Sequence, residues 1–167
     1  LEYGKWNAGV NFTYHNIHPQ NIDLQGGYNI TNPPQQKQDS WEATLFAEYK
    51  HRFLKYYTIN LGSKFIGYFT HSSCFFNADP SVSVAFDNYR TKVSLNYTYA
   101  HQYLFQTGFS NVGLPIEFWF SADENNPPRS AHSVALSAST SLFNGKYRLH
   151  ADLFYKKLYN QIEYRGN

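Results

Sequence analysis

The segment KWNAGVNFTYH, residues 5–15, decides the fold. Trp6, Ala8, Val10, Phe12 and Tyr14 share one parity, while Lys5, Asn7, Asn11, Thr13 and His15 hold the other. Side chains alternate across a strand with period two, so the pattern predicts a β-strand whose two faces meet very different surroundings. The alternation recurs along the chain. Trp41, Ala43, Leu45, Ala47 and Tyr49 oppose Glu42, Thr44, Glu48 and Lys50, and Tyr57, Ile59, Leu61, Phe65 and Phe69 oppose Thr58, Asn60 and Lys64. Residues 76–86, 90–103, 133–142 and 147–156 repeat it, with Val84, Leu95, Leu136 and Leu153 on their apolar parities. Seven strands are predicted, and no segment carries a helical period.

Turn chemistry orders these strands. Short turns are expected within His51–Lys55, at Asp87-Asn88 and at Asn144-Gly145, the last a two-residue hairpin signal because Asn and Gly tolerate positive φ. The connections 16–40, 70–75 and 104–132 are expected to be longer; the first and last are Pro-rich, polar and irregular. Short turns at one end and long loops at the other describe an up-and-down antiparallel sheet with one functional rim.

Composition removes several classes. The 167 residues carry 14 Lys+Arg and 12 Asp+Glu, a net charge of +2, which offers no strong field to suggest nucleic acid or an anionic membrane surface as a partner. Mean hydropathy is −0.56 and no run approaches the ~18 apolar residues of a spanning helix. Aromatic residues make up 19%, which argues against disorder. The single cysteine, Cys74, excludes an internal disulfide and a multi-cysteine zinc site. The N-terminus has no basic segment followed by an apolar stretch, so a mature, trimmed or excised piece is expected.

The direction of the apolar face decides the function. A soluble sandwich buries it, and a membrane barrel turns it to lipid. Within the predicted spans the charged residues, Lys5, Glu48, Lys64, Arg148 and Asp152 among them, all fall on the opposite parity, as either architecture would require. Aromatic placement separates the two. Trp6 and Tyr14, Trp41 and Tyr49, and Tyr147 and Tyr155 are pairs eight residues apart on the apolar parity. Eight residues at ~3.3 Å rise, tilted by ~40°, cover about 20 Å, close to the ~25 Å band that aromatic girdles bound in a membrane barrel. The expected fold is therefore all-β, an antiparallel up-and-down transmembrane β-barrel segment of seven strands. Closed barrels of one chain normally have even strand numbers, so seven strands imply either an eighth strand closing a small barrel of this length or, as the wide polar inner face favours, a slice of a larger barrel with two open edges.

Later motifs carry a family resemblance. KVSLNYTYAHQY and AHQYLF (100–105), GLPIEFWF (113–120), NNPPRSAHSVALSAS (125–139) and LFYKKLYNQIEYRGN (153–167) resemble the barrel of TonB-dependent outer-membrane receptors of the Bacteroidetes type. Upstream, WEATLFAEYKHRF, INLGSKF and ADPSVSVAF resemble the same barrel, with Ser81 where the family has Arg and Glu117 where it usually has Asp. The resemblance implies that residues 1–167 are a partial barrel domain from a roughly 22-stranded wall. The signal peptide, TonB box, plug domain and final strand would lie outside it. It further implies localisation in the bacterial outer membrane and active uptake of a scarce nutrient, such as an iron chelate, bound by long outer loops. The implied partners are outer-membrane lipid, the TonB complex acting through the plug, a siderophore-like small molecule and a surface lipoprotein. A passive porin-like or structural barrel and a soluble β-rich binding module are the alternative readings.

No catalytic constellation is present, so an enzyme is not expected, and neither is a cofactor. His15, His18 and Asp23, and His71 beside Cys74, lack the geometry of a rigid metal site. The sequons at Asn11, Asn29 and Asn96 are read as chance, two of them lying inside strands. The candidate substrate-binding residues are Glu117, Phe118 and Trp119 in the loop 104–132, which continues through Phe120, Asp123 and Glu124. The same aromatic-acidic run is also expected to pack the loop onto the rim through Phe118 and Trp119. Tyr14, Trp41, Phe69, Tyr103 and Tyr155 are expected to mark one boundary of the apolar band, and Trp6, Tyr49, Tyr57 and Tyr147 the other.

Overall fold

The computed structural model describes residues 3–17, 38–109 and 116–161. Seven long strands form one antiparallel sheet: β1 (Tyr3–Ile17), β2 (Gln38–Phe53), β3 (Tyr57–Thr70), β4 (Cys74–Asp87), β5 (Thr91–Gln102), β8 (Arg129–Leu142) and β9 (Tyr147–Tyr159). Their order is β1-β2-β3-β4-β5-β8-β9, so each strand pairs with the next except that β5 pairs with β8 past the intervening β6 and β7, and β1 and β9 are the open edges. Two short strands, β6 (Leu104–Phe109) and β7 (Ile116–Ser121), pair as a separate hairpin. Among the described residues there is no α-helix.

Register fixes the two faces. Val10 lies opposite Leu45, Leu45 opposite Phe65, and Phe65 opposite Ala78. Leu95, Leu136 and Leu153 form the corresponding row across β5, β8 and β9. One residue of slip would turn every one of these side chains over, so alternation in each strand and pairing between strands reinforce one another. Lys64, Lys92 and Arg148 fall on the opposite, polar face. The apolar face is bare: Trp6, Phe12 and Phe76 each keep about three quarters of their surface exposed (76%, 75% and 75%), and no second sheet covers them among the described residues.

The turns correct three expectations. The β3–β4 connection is a turn of three residues, 71–73, not a long loop. The Thr70 hydroxyl accepts from the Ser73 N–H at 2.9 Å, and the Thr70 N–H donates to the Ser73 carbonyl at 2.8 Å. The β8–β9 turn takes four residues, 143–146, where two were expected. Phe143, Asn144 and Gly145 all adopt positive φ (50°, 56° and 89°), so the bend is spread over three left-handed residues instead of one Asn-Gly pair. Lastly, loop 104–132 is not irregular throughout, since it contains β6 and β7. The β2–β3 turn is held by Arg52, whose guanidinium donates to the Lys55 carbonyl at 2.7 and 3.0 Å while Leu54 and Lys55 sit at positive φ.

A Cβ at Gly145 would meet nothing within 4 Å, so any cost of substitution there is backbone strain alone. Gly145→Val is expected to destabilise the protein by ~1–3 kcal/mol, because a β-branched residue resists positive φ. The shift in urea midpoint checks it, and Gly145→Asn should keep most of the wild-type value.

Candidate functional site

The polar face is covered at one place only among the described residues, where β6 and β7 fold over it. Ile66 and Tyr68 lie on the polar parity of β3, where large apolar side chains would otherwise be exposed, yet they are 7% and 0% exposed. They are buried together with Tyr103, Phe105 and Ala122, and Phe75, Leu104 and Phe120 pack against this cluster. It sits toward the end of the sheet from which the long connections leave.

A chain of hydroxyls fastens the hairpin. The Tyr68 hydroxyl lies 2.7 Å from Ser40 Oγ on β2 and 2.8 Å from Ser121 Oγ at the end of β7. A consistent set of donors has Ser40 donating to Tyr68, Tyr68 to Ser121 and Ser121 to the Ala122 carbonyl at 3.4 Å. The Ser121 N–H donates to Gln38 Oε1 at 3.0 Å, a second tie between β7 and β2. The Ala122 N–H donates to the Tyr103 carbonyl at 2.7 Å and closes the base of the hairpin. Tyr103 stacks on Tyr68 with ring centroids 4.6 Å apart and 16° between planes, and Asn77 Nδ2 donates to its hydroxyl at 2.9 Å. Arg129 lays its guanidinium over the Phe105 ring at 4.4 Å.

Beneath the hairpin the sheet itself is opened. The β4–β5 ladder runs from Asp87↔Lys92 to Ser81↔Thr98 and stops. Asp79, 9% exposed, fills the gap: its carboxylate accepts the His101 backbone N–H at 3.1 Å and the His101 Nδ1–H. A side chain thus takes over backbone pairing where the two strands part, as buried polar groups require. Beside Ser121, a polar cleft of about 260 Å³ is lined by Gln38, Asp39, Thr70, His71, Ser72, Ala122 and Asp123.

The candidate residues named from sequence fall unevenly on this site. Glu117, Phe118 and Trp119 are on β7, paired with Gly108, Thr107 and Gln106. The side chains of Glu117 and Phe118 lie outside the described residues, and Trp119 is half-exposed at 48%. Among the described side chains, the buried anchors are Tyr103, Phe105, Ser121 and Ala122. Tyr103 does not mark the boundary of the apolar face: β5 ends at Gln102 and the chain turns inward, which carries the Tyr103 ring to the polar side. Asp123 organises its own turn, accepting the N–H groups of Asn125 and Asn126 at 2.9 and 2.7 Å. His15 lies on the polar face 3.4 Å from Glu42, while His18 and Asp23 lie outside the described residues. Tyr68 and Ile66 were the sequence signal that something covers the polar face, being two large residues in succession on the wrong parity.

The hydroxyls of this cluster are spent on one another, and together they hold the hairpin across the polar face. Tyr68→Phe leaves the buried Ser40 and Ser121 hydroxyls without their shared partner, and should cost about 1–3 kcal/mol. Faster hydrogen exchange at the Ser121 and Ala122 amides, with β1–β3 unchanged, is the expected reading. Burial pushes the Tyr103 phenol from 10.0 up to about 12, against the lowering effect of the Asn77 hydrogen bond. An unfolded phenol ionises near 10.0 while the buried one holds its proton to about 12, so this group's contribution is complete below 10.0 and lost as pH climbs through about 12. Alkaline release of the hairpin over that window, absent in Tyr103→Phe, checks the sign by tyrosinate absorbance. Comparison with protein-family models, curated proteins and solved structures finds no match to this chain, so its reading rests on the geometry above.

Proposed function

We propose that the sheet is a section of the wall of a transmembrane β-barrel, and that the barrel is an outer-membrane active transporter of the TonB-dependent receptor kind. The carrying observation is the path of the aromatic boundary across the strand ladder. Trp6, Tyr49, Leu61, Val82, Tyr97, Val134 and Tyr155 are joined by pairing into one row. On β1 that row is the lower boundary, with Tyr14 eight residues above, whereas on β9 it is the upper boundary, with Tyr147 eight residues below. Between them the lower boundary steps down through Phe53, Tyr57 and Phe86, which share a row four residues lower.

The slope of that descent has a physical meaning. Six strand spacings of ~4.8 Å span about 29 Å, and eight residues of ~3.3 Å span about 26 Å, so the band crosses the ladder at about 42°. Strands of membrane barrels tilt by ~35–45°, so a level membrane meeting tilted strands cuts the ladder at this angle. The bare apolar face between the boundaries supports the same reading, because a soluble monomer rarely leaves so large an apolar surface uncovered. The open edges of β1 and β9 support continuation of the wall by further strands, since unpaired backbone in lipid costs several kcal/mol per group.

Transport then concerns the polar face. The hairpin β6–β7 lies across the inside of the wall at the end of the long connections, where a solute would arrive from outside. Glu117, Phe118 and Trp119 are proposed to contact it there, and the cleft beside His71, Ser121 and Asp123 is a polar subsite within reach. The motif resemblance adds energy coupling through a plug and TonB, with an iron chelate or other large solute as cargo.

Two measurements test this reading in the full-length protein. Leu136→Lys should lower the stability of the inserted barrel by about 2–4 kcal/mol, whereas Ser137→Lys on the polar face should cost far less. Equal costs would contradict the orientation. In planar bilayers a plugged, energy-coupled transporter should be closed to ions; steady open-channel conductance would favour the passive porin reading instead.

A further inference from the structure

The strands run further than the sequence pattern indicated, and this brings charge onto the apolar parity. Among the described residues of the seven-stranded sheet, only Asp39 and Lys157 are charged on that face, and both lie near the end of the long connections. Lys157 is opposite His132, and His132 is opposite Tyr99. Four residues lower the same three strands present Leu95, Leu136 and Leu153. The face therefore changes from Leu-Leu-Leu to Tyr-His-Lys over about 10 Å of depth, given ~3.3 Å rise and ~40° tilt.

The polar row is ordered by its neighbours. The His132 ring stacks on Tyr99 at 4.3 Å, meets the edge of Tyr159 at 5.6 Å, and lies 2.9 Å through Nδ1 from the Tyr97 hydroxyl. With Nδ1 accepting from Tyr97, Nε2–H is the ring's remaining donor. Lys157 Nζ sits 5.0 Å over the Tyr159 ring. A cation and a ring N–H donor are thus adjacent, framed by tyrosines, at the level where the apolar band ends. At the other side of the sheet the corresponding boundary holds Tyr14, Trp41 and Phe69, with the carboxylate of Asp39 beyond them.

We propose that Tyr99, His132, Lys157 and Tyr159 bind the phosphate of an anionic lipid headgroup in the outer leaflet. The proposal rests on the membrane reading above. Lys157 supplies the charge and His132 the directed hydrogen bond, while the tyrosines bridge acyl chain and headgroup as amphipathic rings do at that depth. Asp39 repels such a headgroup on the β1–β2 side, so retention is local to β5, β8 and β9 and not a general property of the wall.

The test uses the full-length protein inserted into phosphatidylcholine vesicles containing lipid A, then extracted into mild detergent, with retained lipid A counted by mass spectrometry. Wild type should retain it, and Lys157→Gln should retain about fivefold less, the effect of one cation near an anionic surface. Lys157→Gln with His132→Gln should retain less still, and Lys157→Arg should restore binding. Equal retention by wild type and by Lys157→Gln, with normal insertion, overturns the headgroup site and leaves the barrel intact. Displacement by inorganic phosphate alone overturns the assignment to a lipid. Failure of the wild-type protein to insert into any vesicle overturns the membrane reading and this site with it.

Discussion

Backbone hydrogen bonds hold Val10, Leu45, Phe65 and Ala78 in a single row, and that row ties the side of each strand to the side of the next. Everything else in the structure depends on this antiparallel register. A slip of β3 by one residue against β2 would carry Lys64 to the apolar face and Phe65 to the polar one. Turns with defined chemistry keep the register in place. Asn88 Oδ1 accepts the N–H groups of Arg90 and Thr91, Arg52 clamps the Lys55 carbonyl, and the Thr70 hydroxyl closes the turn before β4.

One place departs from the ladder, and it is the place where the polar face is covered. β4 and β5 separate above Ser81 and Thr98, Asp79 bridges the gap to His101, and the chain beyond Gln102 turns inward as β6 and β7. Tyr68 is the anchor on the sheet side. Its ring supports Tyr103 and its hydroxyl joins β2 to β7. In the proposed barrel, the same local failure of pairing that bends the chain inward also sets a hairpin across the path of a solute.

The seven-stranded sheet was legible in the sequence because strand periodicity is a local signal: Trp6 through Tyr14 or Tyr147 through Tyr155 can be assigned without knowing what lies beside them. The hairpin was not. LFQTGF and IEFWFS are each six residues long, lie among Pro, Gly and Asn, and gain their pairing only from one another. Tyr103 continued the parity of Tyr97 and Tyr99, so its inward turn depends on Asn77 and Tyr68, which are distant in sequence. Lys157 is hidden in the sequence for a related reason. The pattern closed at Lys156, and only pairing with His132 shows that β9 continues. The turn at 71–73 read as a loop because Ser and His are turn-tolerant residues, and its tightness comes from one Thr hydroxyl.

The central claim is that the apolar face of this sheet meets lipid. It is tested most directly by single spin labels at 93, 94, 95, 96, 97 and 98 on β5 of the full-length protein in vesicles, with Cys74 replaced by Ser. Oxygen dissolved in the bilayer should relax labels at 93, 95 and 97 most strongly, and a water-soluble nickel chelate those at 94, 96 and 98. Labels that show no alternation, or odd positions shielded from both agents by protein, would contradict the account.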